Sequence, residues 1–297
     1  MNGLPKIAVI LGPTGSGKTD LGIEVAKKYN GEIISADSRQ VYRQMNIGTA
    51  KPKGEWKNGA YFVDGVPHYL MDIIDPDENF TVVDFKERAI TRIDDILKRG
   101  KLPIIVGGTG LYISSIVDNL DIPKVAPDAA LRTELERKNP DELAQMLKEI
   151  DPESSAKIDL KNSRRVLRAL EVAMVSGESF FEQRRKQAPI YEAHEFGINL
   201  SREELYRRLD ARVDRQIKDG LIDEVKDLSQ KYSWDLPSMS GIGYKQIGYY
   251  LRGEMTLEQA IETLKRDTRR YAKRQKTWFK RDKKIIWISG LKEFHLP

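Results

Sequence analysis

No cysteine occurs among the 297 residues. Disulfides, cysteine-ligated zinc and thiol catalysis are thereby excluded, and a reducing, cytoplasmic setting is expected. Histidine is almost as scarce. His68, His194 and His295 are separated by distances that match no metal-ligand spacing, so all three read as structural. No apolar run approaches the roughly 20 residues of a bilayer-spanning helix, and no membrane partner is expected. The short run "IAVIL" near the N-terminus leads directly into a glycine loop, which marks a buried strand and not a secretory signal. Internal repeats and low-complexity tracts are also missing. The first hundred residues hold 14 basic and 14 acidic side chains and therefore have no surplus of either sign.

With 40% apolar and 32% charged residues, the composition is that of a soluble globular protein of about two domains. The charge lies in one place. The stretch "TLKRDTRRYAKRQKTWFKRDKK" (Thr263 to Lys284) holds 11 basic and two acidic residues, a surplus of nine against +5 for the whole chain. Leu257, Ile261, Leu264, Thr268, Tyr271 and Trp278 recur there at helical spacing, which predicts a helix with one core face and basic remaining faces. A solvated helix normally mixes signs, and this one scarcely does. A polyanion, nucleic acid above all, is the expected partner. "NSRRVLRAL" (Asn162 to Leu170) forms a second, shorter basic surface.

Elsewhere the apolar pattern alternates strand and helix. "KIAVIL", "GEIISAD" and "LPIIVGG" read as buried strands, and "HYLMDI" as a weaker one. Helices are predicted over Lys18 to Tyr29 and over Thr81 to Arg99. In the second, Thr81 and Asp84 have capping-box spacing and Phe85, Ala89, Ile93 and Leu97 form the buried seam. This order predicts an α/β fold, a P-loop-type parallel sheet flanked by helices. After about Asp121 the chain becomes a series of short amphipathic helices broken by proline. It returns to the sheet with "FGINL" and, past a long helix from about Ser201, to a last strand, "KIIWIS". The division expected is a core of residues 1–121 and 196–297 with an all-helical insertion over 122–195.

The chemistry starts at "GPTGSGKT", Gly12 to Thr19, between a predicted strand and a predicted helix. Gly12, Gly15 and Gly17, with Pro13, Thr14 and Ser16 between them, let backbone N–H groups point at phosphate oxygens. Lys18 adds a full charge, and Thr19 a hydroxyl suited to Mg²⁺. Many nucleoside triphosphatases also carry an apolar strand ending in Asp to hold the metal. Here "PIIVGG" ends in Gly107-Gly108, which weakens an ATPase or GTPase reading and leaves small-molecule kinases open. Asp37 closes the second strand, at the edge where open parallel sheets bind ligands; a turn residue is its other reading. Thr109 lies past a later strand end, as a ligand contact or a simple helix cap. Arg212 stands in "LDARVDRQIKDGL", where most arginines are surface charges.

The runs "GPTGSGKT", "ISADSRQVYR", "IGTAKP", "VPHYLMDI", "GGTGLY", "RRVLRALEV", "GIGYKQ" and "TRRYAKRQKTWF" together resemble the tRNA dimethylallyltransferase (tRNA isopentenyl transferase) family, in the family's order and over nearly the full chain. The resemblance implies transfer of a dimethylallyl group from dimethylallyl diphosphate to N6 of the adenosine 3′-adjacent to the anticodon, with Mg²⁺ as cofactor and the tRNA anticodon stem-loop as partner. It implies Asp37 as the catalytic acid–base residue and Lys18, Thr19 and Arg212 as diphosphate or metal contacts. Contacts to tRNA are implied for Asp37, Ser38, Arg39, Gln40 and Thr109, for Arg164, Arg165 and Arg168, and for the stretch holding Gly241, Gly243, Tyr244, Lys245 and Gln246. The basic helix adds Arg270, Lys273 and Arg274. Two positions depart from the family pattern: Arg39 stands where many members have an apolar residue, and Tyr69 replaces the second histidine of a common pair. A monomer is expected. Prenylation of free adenine nucleotides, a small-molecule kinase and a non-catalytic RNA-binding module are the competing readings.

Overall fold

Glycine-bounded apolar runs in the first third of the chain set up the sheet. In the computed structural model, which describes residues 3–123, 125 and 128–296, the chain opens with β1 (Lys6–Leu11), α1 (Lys18–Lys28), β2 (Gly31–Ala36), β3 (Glu55–Lys57), β4 (Ala60–Val63), β5 (Val66–Tyr69), α2 (Val82–Lys98), β6 (Leu102–Gly107) and α3 (Gly110–Val117). Four helices follow: α4 (Ala129–Glu136), α5 (Pro140–Ile150), α6 (Pro152–Lys157) and α7 (Ser163–Ser176). The chain then continues through β7 (Glu192–Ile198), α8 (Arg202–Lys218), α9 (Leu221–Ser229), α10 (Tyr244–Leu251), α11 (Leu257–Phe279) and β8 (Ile286–Ile288). It divides into two units, Met1–Ile116 with Ile190–Pro297, and Val117–Pro189.

In the larger unit the strands run in the order β3-β4-β5-β2-β6-β1-β7-β8. From β5 to β8 every pairing is parallel, with Ile10 opposite Val106 and Ala36 opposite Gly107. Ala8, Ile10, Ile33, Ile104 and Val106 pack with Leu21 and Val25 of α1. The alternate residues Ile7, Val9, Leu11, Ile34 and Ile105 are fully buried as well, so both faces of the central strands are covered. The Thr81–Asp84 capping box forms as its spacing predicts, although Ile96 rather than Leu97 completes the buried seam of α2.

The sheet is mixed, where the sequence pattern predicts a parallel one. β3, β4 and β5 form an antiparallel meander joined at Asn58-Gly59 and Asp64-Gly65. All four turn residues have positive φ (50°, 76°, 49° and 80°), the geometry that Asn-Gly and Asp-Gly favour. Leu70 and Asp72, each with φ of 59°, end the third predicted strand at Tyr69. Tyr69 itself belongs to a structural cluster: its hydroxyl donates to Glu32 (2.9 Å), which also holds Arg99 (2.5 Å) and Lys101 (2.7 Å). The return to the sheet also comes earlier than Phe196. β7 begins at Glu192 because Lys6 to Leu11 pairs with Glu192 to Gly197. β8 covers only Phe196 to Ile198, so the first half of β7 tolerates polar residues and hides its strand character.

The smaller unit is built on α7. Val166, Ala169 and Leu170 pack with Leu135, Leu143, Leu147 and Phe180. Fully buried Glu171 accepts from Arg132 (2.8 and 3.0 Å), from Arg168 (2.5 Å) and from the backbone N–H of Asp128 (2.8 Å). Part of the Asp121 to Pro127 stretch, where the helical insertion is predicted to begin, lies outside the described residues.

Candidate active site

Three adjacent parallel strands deliver the site. β1 runs into Gly12, β2 into Asp37 and β6 into Gly108, so their carboxyl ends open on one edge. Gly107 is crowded there: a Cβ would lie 2.2 Å from the Ala36 carbonyl. In the loop after β1, Gly12, Gly15 and Gly17 take φ of 148°, 80° and 92°. Gly15 is further constrained, since a Cβ would meet Leu209 of α8 at 2.6 Å. The Ser16 hydroxyl is buried without a partner, and among the described residues the Thr19 hydroxyl makes no hydrogen bond. With the amino end of α1 directly behind them, these groups suit an anion.

The charges point the same way. Lys18 donates to the Pro13 carbonyl at 2.8 Å, and Arg212 Nη1 donates to Thr14 Oγ1 at 3.0 Å. Burial pulls the Lys18 ammonium down to about 8; Asp37 partly opposes this and Arg212 adds to it. Arg212 is likewise lowered by burial and then by Arg215, against Asp20 and Asp37. Two half-buried cations held beside one another make a seat that a polyanion would stabilise.

The turn reading of Asp37 is met, and it uses one of the two carboxylate oxygens. Its Oδ1 accepts the N–H groups of Arg39 (2.9 Å) and Gln40 (3.3 Å), which is a turn role. Its Oδ2 has no hydrogen-bond partner among the described residues. Thr109 does two things: its carbonyl accepts from Ile113 at the start of α3 (3.2 Å), and its hydroxyl accepts the Ser38 N–H (3.1 Å). Asp37, Ser38, Arg39, Thr14, Arg212 and Arg274 line one cavity of about 290 Å³. Gly241 and Tyr244 also line it, with Thr49 and Gln216, which the sequence did not single out, and with Leu264 and Tyr271, which it placed on the core face of the basic helix. The Tyr271 phenol is pushed up to about 12 by burial and then by the charge of Asp37, so it faces the cavity as a neutral donor.

Several residues expected at an RNA surface are committed internally. Gln40 Nε2 donates to the carbonyls of Thr49 and Ala50, both at 3.2 Å. Tyr244 is buried and donates to Glu224 (2.7 Å), whose carboxylate also accepts the N–H groups of Asn46, Ile47 and Gly48. Buried Gln246 accepts from Gly243 N–H and donates to Asp267, both at 2.9 Å. These three shape the site from behind. Gly243, with φ of 99°, caps α10, and exposed Lys245 lies over the Tyr249 ring. In the smaller unit Arg164 and Arg165 are exposed, whereas Arg168 is held by Glu171.

The basic helix α11 divides in two. Lys265 pairs with Asp214 and Arg269 with Asp210, both at 2.6 Å, and Arg270 lies 3.8 Å from Asp267. Beyond that point exposed Lys273, Arg274 and Lys280 have no acidic partner among the described residues. The buried seam is Ala260, Leu264, Thr268, Ala272, Gln275 and Phe279. Trp278, expected in the seam, is 37% exposed. Its indole lies against Gly110, where a Cβ would come within 2.3 Å of Nε1.

Among the described residues no group of three or more His, Asp or Glu could hold a metal, and no helix is long and apolar enough to cross a membrane. The known proteins that this chain matches are of one kind. The family model described as IPP transferase matches residues 40–282. The tRNA dimethylallyltransferase of Acetivibrio thermocellus is 48% identical over 294 residues, covering 96% of this chain and 92% of that one. That of Heliobacterium modesticaldum is 46% identical over 290 residues, covering 95% and 89%. The crystal structure of the full-length tRNA isopentenylpyrophosphate transferase from Bacillus halodurans superposes with a TM-score of 0.70 at 42% identity, covering 95% of this chain and 89% of that one. A eukaryotic dimethylallyltransferase acting on tRNA gives 0.75 at 32% identity, covering 93% and 70%. With the glycine loop, the strand-end carboxylate and the basic helix held in one frame by a sequence this close to theirs, the chain belongs to the IPP transferase family, among the tRNA dimethylallyltransferases.

Proposed function

We propose that this chain transfers the dimethylallyl group of dimethylallyl diphosphate to the exocyclic N6 of the adenosine 3′-adjacent to the anticodon in tRNA. The observation that carries the reading is the cavity of about 290 Å³ in which Thr14 of the phosphate loop and Arg212 face Asp37. The names of the relatives support the same chemistry. A kinase reading is weaker, because β6 ends in glycine and the space beside Gly108 is filled by Gln275.

The exocyclic amine is a poor nucleophile because its lone pair is delocalised into the ring. The allylic carbon offsets this, since it carries partial positive charge well and diphosphate leaves readily once neutralised. As the N6–C1 bond forms, the C1–O bond breaks and its electron pair goes to the diphosphate. The loop N–H groups, Lys18 and Arg212 stabilise that developing charge. N6 becomes acidic only as it attacks, and the unpartnered Oδ2 of Asp37 then takes its proton. A carboxylate is too weak a base to remove it beforehand. Thr19 would hold Mg²⁺ together with diphosphate oxygens and water, a set that fits an ion needing few protein ligands, and the ion would supply further neutralisation of the leaving group. Exposed Lys273, Arg274 and Lys280, with Arg164 and Arg165 of the smaller unit, would grip RNA phosphates.

The test is incubation with radiolabelled dimethylallyl diphosphate and, separately, tRNA, AMP and ATP. Label in tRNA alone supports the reading. Label in a mononucleotide, or none anywhere, overturns it.

A further inference from the structure

The residue that occupies the space beside the end of β6 is Gln275, and both ends of its side chain are used. Oε1 accepts the backbone N–H of Thr14 at 2.8 Å, and Nε2 donates to the Gly108 carbonyl at 2.8 Å. The side chain is 7% exposed. A Cβ on Gly108 would lie 2.4 Å from that Nε2, so the glycine is what admits the amide. The chain of contacts continues. Gly108 is followed by Thr109, whose hydroxyl accepts the Ser38 N–H and whose own N–H donates to the Ala36 carbonyl at 3.1 Å. Ala36 and Ser38 are the two neighbours of Asp37.

One amide therefore joins the phosphate loop to the turn that carries the carboxylate. The backbone ladder links the ends of β1 and β2 through Gly107 of β6, and the amide adds a side-chain tie one residue beyond it, at the loop itself. We infer that Gln275 is a positioning residue: it fixes the separation between the anion seat and Asp37 Oδ2, and so the alignment of donor and acceptor. The inference rests on the transferase reading. It assigns Gln275 no contact with either substrate. Misplacement by about 1 Å at a reacting centre costs on the order of a hundredfold in rate while leaving each substrate its own binding contacts.

Gln275→Met keeps the volume and removes both hydrogen bonds. Its kcat should fall by about 10- to 100-fold, with the KM for each substrate moving less than about threefold. In an Asp37→Asn background the same substitution should cost less than about threefold, because the group it positions is gone. A merely structural loss would lower the active fraction equally in both backgrounds. Gln275→Glu retains an acceptor for Thr14 and, when ionised, lacks the donor to Gly108. It runs through the same cycle and carries the test if Gln275→Met does not fold. Hydrogen exchange adds a readout independent of turnover: protection of a peptide spanning Gly12 to Gly17 should drop in the variants while α8 stays protected. Unchanged kcat, equal losses in both backgrounds, or unchanged protection at the loop would each overturn the inference. Failure of the wild-type protein to label tRNA would instead overturn the transferase reading, with the exchange result still deciding the contact.

Discussion

Raising the pH from 7 to 9 should weaken dimethylallyl diphosphate binding about tenfold, and the cause is a single ammonium. Lys18 is held at about 8 by burial, by the proximity of Arg212 and against the pull of Asp37. Free protein is then about nine-tenths protonated at this site at pH 7 and about one-tenth at pH 9. A diphosphate seated on the loop brings negative charge against the same nitrogen and restores its ordinary basicity, so the complex keeps the proton throughout. The affinity ratio equals the ratio of the protonated fractions, about tenfold or about 1.4 kcal/mol. The donor's own last ionisation, near pH ~6, is complete across this range and does not compete. Calorimetry without RNA measures the effect directly, and at pH 8 binding should take up about half a proton, visible as a dependence on buffer ionisation heat. Lys18→Arg, charged at every pH tested, should abolish the trend. An affinity that is flat or rises from pH 7 to 9 in the wild-type protein would refute the argument.

Asp37→Asn keeps the turn acceptor and removes the base; kcat should fall by about 10²- to 10⁴-fold with tRNA affinity within threefold of wild type, measured by single-turnover kinetics and filter binding. Lys273→Ala and Lys280→Ala should weaken tRNA binding and flatten its salt dependence, whereas Lys265→Ala, whose partner is Asp214, should do neither; a salt response independent of all three would count against an RNA face on this helix. Burial holds His68 at about 4, against 6.5 unfolded, so the unfolded chain binds the proton first and stability falls as pH drops from 6.5 to 4, by roughly 3 kcal/mol. Burial alone would raise Glu32, but Arg99, Lys101 and Tyr69 hold it at about 2, so its contribution is present above 4.5 and is lost from there downward. Denaturant titrations at each pH would show both, and a stability flat from 6.5 to 4 would exclude the His68 part. Gly48→Ala would place a Cβ 2.5 Å from the Tyr244 ring and should cost about 1–3 kcal/mol in thermal unfolding.

The phosphate loop and Asp37 were legible because their chemistry is contiguous: a strand, a run of glycines, a lysine, and a carboxylate at the next strand's end. The meander β3-β4-β5 was equally signalled, by Asn58-Gly59 and Asp64-Gly65, yet it hides from pattern reading. Its strands are three or four residues long, and Glu55 to Lys57 is exposed on every side, so no alternation marks it. The start of β7 was missed for a related reason, a half-covered strand carrying Glu192, His194 and Glu195. On α11 the apolar periodicity favoured large residues such as Trp278. The true seam uses Ala260, Ala272 and Gln275. The Gln275 amide meets the glycine turn at Gly108 and the Trp278 indole meets it at Gly110, and hydrophobicity encodes neither contact.

Charge counting along the sequence met a similar limit. The surplus of nine in Thr263 to Lys284 suggested one uniform basic face. In space Lys265 and Arg269 are answered by Asp214 and Asp210 of α8, and Lys276 Nζ donates to the Leu200 carbonyl at 3.0 Å. The two ion pairs tie the amino-terminal part of the helix to α8, the helix that carries Arg212, and help hold it against the phosphate loop, while Lys276 ties the last turn to the chain before α8. The charge left for a polyanion is toward the carboxyl end, where Lys273, Arg274 and Lys280 have no acidic partner among the described residues. Arg274 lines the cavity beside Asp37 and Tyr271, and Gln275, the next residue, turns inward to Thr14. A phosphate backbone drawn to this half of α11 would thus be drawn to the mouth of the reaction cavity, which is where a base lifted from its stack would have to enter.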